Sequence, residues 1–223
     1  MTTLRAGSAT HVGQVRSANE DAKLVAPDQD LFGVADGVGG HQGGQVASSM
    51  AVSMVAEAGT GPDLDALKDA VRAANRAIFE RAGNDRELHG MGTTFCAVRV
   101  VDGPEGDEIA WVNVGDSRLY LYRDDRLIQL SQDHSLVEDL MRDGLLTPEE
   151  AANHPQRNII TRALGIDVDV AVDGGTVLPF TGDRFLLCSD GLSNEVTEDQ
   201  ITSVLRRLAD PDDAADELVR LAN

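Results

Sequence analysis

Three stretches of this chain share one design, an apolar run that ends on an aspartate at the start of a tight turn. They are Leu31-Phe32-Gly33-Val34-Ala35-Asp36-Gly37, Trp111-Val112-Asn113-Val114-Gly115-Asp116-Ser117 and Phe185-Leu186-Leu187-Cys188-Ser189-Asp190-Gly191. Each run reads as a buried strand. The first continues into a glycine-rich turn from Gly37 to Gly44, where backbone conformations closed to other residues become available. A fold that packs three such strands into sheets can gather Asp36, Asp116 and Asp190 at one end.

Converging carboxylates are hard oxygen ligands, better suited to Mg²⁺ or Mn²⁺ than to Zn²⁺. For any single instance the plainer reading wins, because Asp-Gly starts turns whatever the function. Recurrence shifts the balance. Three independent turns have no common reason to follow apolar strands of the same kind.

A length of 223 residues with 42% hydrophobic content fits a single α/β or α+β domain with a full core. The net charge of -19, from 38 acidic and 19 basic residues, argues against nucleic acid or an anionic membrane as the main partner. Cys96 and Cys188 sit inside apolar runs without CxxC spacing, which predicts buried free thiols. No signal-like segment and no long uncharged apolar run occurs, so the expected location is cytoplasmic, without a membrane segment.

In chain order, Gly7 to Val15 reads as strand-like, followed by a polar corner, Arg16-Ser17-Ala18-Asn19-Glu20-Asp21, and a strand over 22–26. Arg16 is a candidate phosphate ligand, since a guanidinium binds phosphate oxygens through two parallel hydrogen bonds; Glu20 and Asp21 would add acidic groups beside a metal. Helices are predicted over 45–58 and, from an Asp63 cap, over 64–81. Strands follow at 95–101 and 109–114, then a hairpin pairing 119–122 with 127–130. The segment 133–165 is more polar and irregular, with a capping box at Thr147 and the run His154-Pro155-Gln156-Arg157-Asn158, and it reads as a lid or a plain helical excursion. Strand-like residues return at 168–177 and 185–188, and two helices close the chain, one behind a capping box of Thr197 and Gln200 and one starting at Asp210-Pro211.

Other chemistries fit poorly. Gln42 stands where GxGxxG needs its last glycine, no GK[ST] follows, the five histidines form no HExxH pair, and no serine lies in a GxSxG elbow. A carboxylate cluster with an arginine points to metal-assisted attack on a phosphate.

With these residues in view, the chain resembles the metal-dependent serine/threonine protein phosphatases of the 2C type (PPM family), in their bacterial form. The resemblance runs through Val12-Gly13-Gln14-Val15-Arg16-Ser17-Ala18-Asn19-Glu20-Asp21, Ala35-Asp36-Gly37-Val38-Gly39-Gly40-His41, Met91-Gly92-Thr93-Thr94, Val114-Gly115-Asp116-Ser117-Arg118, Asp133-His134-Ser135, Thr161-Arg162-Ala163-Leu164-Gly165 and Ser189-Asp190-Gly191-Leu192. It implies an α+β fold, a central antiparallel β-sandwich flanked by pairs of helices in four αββα layers, with residues 133–165 as a small flap on a single domain over 1–223. It also implies roles. Asp36 would bridge two Mn²⁺ or Mg²⁺ ions, Gly37 would add its carbonyl, Asp190 would bind one of the pair, and Glu20 and Asp21 would support the site directly or through water. Asp116 with Asp190 would hold a third ion, and Arg16 would grip the substrate phosphate. The implied reaction is hydrolysis of phosphoserine and phosphothreonine esters by hydroxide shared between two ions. The implied partners are phosphorylated proteins made by a bacterial serine/threonine kinase, met by a monomeric enzyme.

Two departures stand out. The general-acid histidine that some members carry after the Asp-Gly pair is Val38 here, leaving His41, His154 or a water for that role. The family's sequence usually continues into a strand with an Asp-Asn pair whose aspartate is a metal ligand, whereas this chain stops at Asn223. The expectation is therefore either a trimmed chain or a protein without that ligand and strand, with a sheet edge left exposed. The alternatives to a protein phosphatase are an impaired regulatory domain of the same fold and a hydrolase of small phosphorylated molecules.

Overall fold

The computed structural model describes residues 2–39, 42–58 and 61–223. Its framework is two antiparallel sheets packed face to face. Strands β1 (Asp21–Ala26), β2 (Leu31–Val38), β4 (Phe95–Gly103), β5 (Gly106–Val114) and β8 (Asp173–Val177) lie side by side in that order, with the short β3 (Gly92–Thr93) paired to the end of β2. The second sheet has three strands, β6 (Arg118–Arg123) at its centre between β7 (Arg126–Gln129) and β9 (Arg184–Cys188).

Three apolar layers hold these parts together. Between the sheets, Phe32, Cys96, Val98, Ile109 and Leu119 form the sandwich interior, with Phe185 and Leu187 packed against them. On the outer face of the larger sheet lie helices α1 (Gln42–Ala58) and α2 (Leu64–Asn84). The α2 stripe Leu67, Val71, Ala74, Ile78 and Ala82 recurs every three or four residues and is buried throughout. On the outer face of the smaller sheet, helices α6 (Glu198–Arg207) and α7 (Pro211–Ala222) bury Ile201, Val204, Leu205, Ala214 and Leu218. The result is the expected αββα order of layers, each helix pair covering one sheet face.

Local chemistry sets the element ends. The Asp63 carboxylate accepts the Ala66 N–H at 2.9 Å and starts α2. Both predicted capping boxes form, at Thr147 before α4 (Pro148–Ala152) and at Thr197 before α6. In the β6–β7 hairpin Asp124 and Asp125 adopt φ of 51° and 61°, the left-handed pair whose twist suits a two-residue turn. The thiols of Cys96 and Cys188 are free and buried, and burial pushes that of Cys188 up to about 12.

One predicted strand is absent and another is shortened. Residues 7–15 form no strand: this segment is tethered by side chains, with Ser8 N–H donating to Asp212 Oδ1 at 3.2 Å and Lys23 Nζ to Ser8 Oγ at 3.1 Å, while Arg5 pairs with Asp210. Residues 168–172 are likewise irregular, and β8 begins only at Asp173, where pairing with β5 starts. The buried Asn75 of α2 explains this. Its amide donates to the carbonyls of Asp167 and Val168 at 3.0 and 3.1 Å and accepts the Gly165 N–H at 2.8 Å, which bends this stretch toward the helix.

Segment 133–165 contains the short helices α3 (Leu136–Arg142) and α4. Its two ends are tied to each other and to the sheet by bridges between Ser135 and Ile160 and between Leu164 and Thr93. Leu145, beyond α3, is 67% exposed, whereas Ala151 of α4 is buried.

Leu119 is fully buried between the sheets, so Leu119→Ala should cost about 2–5 kcal/mol of stability by chemical denaturation. A loss below about 1 kcal/mol would mean that the sandwich interior is not packed as described.

Candidate metal centre

The site begins with the register of β1 on β2. Asp21 stands directly opposite Asp36, so both carboxylates project to the same side of the sheet at its end. Like charges so placed repel each other. Asp116 follows β5, where the chain leaves the larger sheet for β6, and Asp190 follows β9 as the first residue of the short helix α5 (Asp190–Ser193). The three Asp-turn motifs thus bring their carboxylates within electrostatic reach of one another and of Asp21.

The consequence appears in the proton affinities. Burial, followed by the charges of Asp21, Asp190 and Asp116, pushes Asp36 up to about 9. Burial and Asp190 push Asp116 to about 7, and burial raises Asp21. Such a cluster calls for compensating positive charge, and it has the hard oxygen donors that Mg²⁺ or Mn²⁺ prefers. Among the described residues, no three of these acids already enclose one point as metal ligands do.

Backbone and hydroxyl contacts hold the cluster in place. Thr94 Oγ1 accepts the Asp36 N–H at 2.9 Å, the Asp36 carbonyl accepts both Thr93 Oγ1 and the Thr94 N–H at 2.9 Å, and Thr94 Oγ1 lies 2.7 Å from Ser117 Oγ, next to Asp116. Ser189 Oγ donates to Asp21 Oδ2 at 3.0 Å, and Asn194 Nδ2 to Asp190 Oδ2 at 3.2 Å. The glycine turn has a steric purpose: a Cβ on Gly37 would lie 2.2 Å from the Gly44 carbonyl oxygen, so the strand end and the first turn of α1 touch backbone to backbone.

Glu20 is buried, and its carbonyl accepts the Gly37 N–H at 3.2 Å and Ser48 Oγ of α1 at 2.6 Å. Its carboxylate holds Arg16 at 3.3 Å. The Arg16 side chain is 65% exposed, so its remaining N–H groups face solvent beside the acids. Thr94, Ser117, Ser189 and Asn194 drew no individual role from the sequence; the first three fall inside its motifs, and their hydroxyls matter only once the strands are adjacent. The general-acid candidates fare differently. His154 turns inward on its own loop, its Nδ1 accepting the Gln156 N–H at 3.2 Å. His41 lies outside the described residues. A wider recess of about 680 Å³, bordered by Asp28, Gln29, Arg99 and Asp102, opens at the opposite end of the larger sheet and takes no part in the cluster.

Comparison with known proteins agrees with this geometry. The protein phosphatase 2C family profile matches residues 9–222. The serine/threonine phosphatase stp of Listeria innocua is 39% identical over 226 residues, spanning 96% of this chain and 88% of that relative. Among solved structures, the PPM phosphatase MsPP of Mycobacterium smegmatis, in complex with cacodylate, superposes with a TM-score of 0.87 at 39% identity, covering 100% of this chain and 93% of that one. The catalytic domain of the phosphatase PstP in complex with two manganese ions gives a TM-score of 0.81 at 38% identity, covering 94% and 87%. The chain belongs to the protein phosphatase 2C family.

With divalent ions removed, Asp36→Asn should stabilise the chain by about 2 kcal/mol near neutral pH. The sign follows from the proton affinities: an unfolded aspartate ionises near 3.8, whereas folded Asp36 keeps its proton up to about 9, so stability falls as pH rises between those values. The variant's advantage in thermal unfolding should therefore grow from pH 4 toward pH 9 under chelator. A wild-type chain as stable as the variant throughout would show that the acids do not crowd one another.

Proposed function

We propose that this chain is a metal-dependent protein phosphatase that hydrolyses phosphoserine and phosphothreonine esters, with its centre at Asp36. The observation that carries the reading is the crowding of Asp21, Asp36, Asp116 and Asp190 beside an exposed arginine, within a chain of the 2C family. Asp36, the Gly37 carbonyl and Asp190 would hold a pair of Mn²⁺ or Mg²⁺ ions, and Asp116 with Asp190 a third. Glu20 and Asp21 support them. Ions bound there supply Lewis-acid charge at the phosphoryl group and acidify water for attack.

The chain's own residues do the rest. Arg16 meets the phosphoryl oxygens of the substrate through its free N–H groups, and the exposure of its side chain leaves room for a phosphate to approach. Glu20 keeps the guanidinium beside the acids through their ion pair. Thr93 and Thr94 fix the backbone of Asp36 so that its carboxylate does not drift when charge moves nearby. The closeness of acids to one another disfavours the metal-free form and thereby favours ion uptake.

By the same family resemblance, residues 1–223 act as one phosphatase domain with 133–165 as its flap, the substrates are proteins phosphorylated by a bacterial serine/threonine kinase, and the enzyme works as a cytoplasmic monomer. No helix among the described residues is long and apolar enough to cross a membrane.

The test is Mn²⁺-dependent phosphate release from a phosphothreonine peptide. Asp36→Ala should reduce kcat by about 10²–10³-fold, and Arg16→Ala should act chiefly by raising KM. Turnover that persists in Asp36→Ala, or that needs no divalent ion, would overturn the assignment.

A further inference from the structure

His134 is buried at 6% exposure, and every polar group it carries is engaged. Its N–H donates to the Gly115 carbonyl at 3.0 Å, and its Nδ1 accepts the Gly115 N–H at 2.9 Å, so one residue grips both ends of Gly115. Asn113 Nδ2 donates to the same Gly115 carbonyl at 3.2 Å. Gly115 needs this grip and nothing bulkier in its place. Its φ is 106°, and a Cβ there would come within 2.6 Å of the Thr94 side chain.

The other side of His134 faces the 159–173 segment. Its carbonyl accepts the Thr161 N–H at 2.9 Å, and its Nε2 lies 3.1 Å from Asp173 Oδ2. Because the Gly115 N–H can only donate, Nδ1 must be the acceptor, which leaves Nε2 to carry the proton toward Asp173. Arg162 Nη1 donates to Asp173 Oδ1 at 2.7 Å and to the Ala171 carbonyl at 3.3 Å, which uses both of its hydrogens; its 2.8 Å approach to Nε2 is then a contact between two donors and not a hydrogen bond, and its charge neutralises the carboxylate that orients the ring. This recreates on an amide the arrangement in which a carboxylate sets a histidine's tautomer so that its other nitrogen can serve as acceptor.

We propose that His134 is a positioning residue for Asp116: its Nδ1 fixes the Gly115 peptide, and through it the carboxylate of the next residue, against an anchor formed by Asp173 and Arg162. The inference rests on the reading above that Asp116 holds a cation. Its distinctive claim is that one ring nitrogen, not the bulk of the side chain, sets the cation affinity at Asp116.

Two amide variants separate the nitrogens. His134→Asn places Oδ1 near the position of Nδ1 and keeps an acceptor for Gly115, whereas His134→Gln reaches toward the position of Nε2 and abandons it. In calorimetric titration with Mn²⁺ and no substrate, His134→Gln should weaken one Mn²⁺ site, the one that Asp116→Asn also weakens, by about tenfold, while His134→Asn should stay within about threefold of wild type. Hydrogen exchange at the Gly115 amide should accelerate in His134→Gln only. In the unmutated protein, imidazole ¹⁵N shifts should show Nδ1 unprotonated, and a protonated Nδ1 would overturn the proposal with no substitution at all. Coincident Mn²⁺ isotherms for the two variants would also overturn it, leaving the phosphatase reading intact. A wild-type chain that binds Mn²⁺ but releases no phosphate would sink the phosphatase reading and leave this inference to stand on the isotherms.

Discussion

Mutual repulsion among aspartates is the condition that the rest of this structure answers to. Asp21 and Asp36 are held opposite each other by a strand register that buries the apolar side chains of β1 and β2, so the sheet cannot separate the two charges without giving up core packing. Asp116 and Asp190 add to the same field from two other strand ends. A folded chain accepts this arrangement because burial elsewhere is extensive, and the excess proton affinity of Asp36 measures the conflict.

Rigid elements make the conflict useful. Asp36 lies within a strand, its N–H and carbonyl both engaged by threonines, and Glu20 is fixed by hydrogen bonds from Gly37 and Ser48. Arg16 differs in kind. It sits on an irregular segment with one ion pair to Glu20, a placement suited to a group that must meet a substrate, whereas the acids are suited to holding their positions.

Much of this was legible in the sequence, for physical reasons. The apolar runs before Asp36, Asp116 and Asp190 form strands as their pattern implies, largely buried in β2 and β5 but half-buried over Phe185–Leu187 of β9, and the caps at Asp63, Thr147 and Thr197 depend on side-chain chemistry within three residues. The irregular stretches were misread because apolar alternation at 7–15 and 168–172 describes a tendency to pair, while pairing also needs a neighbour in register. Asn75 lies some 90 residues from the carbonyls it captures, and no local pattern announces such a contact. The Asp21–Asp36 opposition is similar: both residues stood in the motifs, but their registry exists only in the sheet.

The position of Asp116 carries one more consequence. At Gly115–Ser117 the chain crosses from the larger sheet to the smaller, so Asp21 and Asp36 travel with one sheet, Asp190 travels with the other, and Asp116 sits on the connection between them. The gap between those sheets is filled by Phe32, Val98, Ile109 and Leu119. These side chains therefore act as a spacer that sets the gauge of the carboxylate cluster, and a methyl group gained or lost deep in the sandwich would reach the acids as a change in their separation. The apolar interior is in this sense part of the charged site.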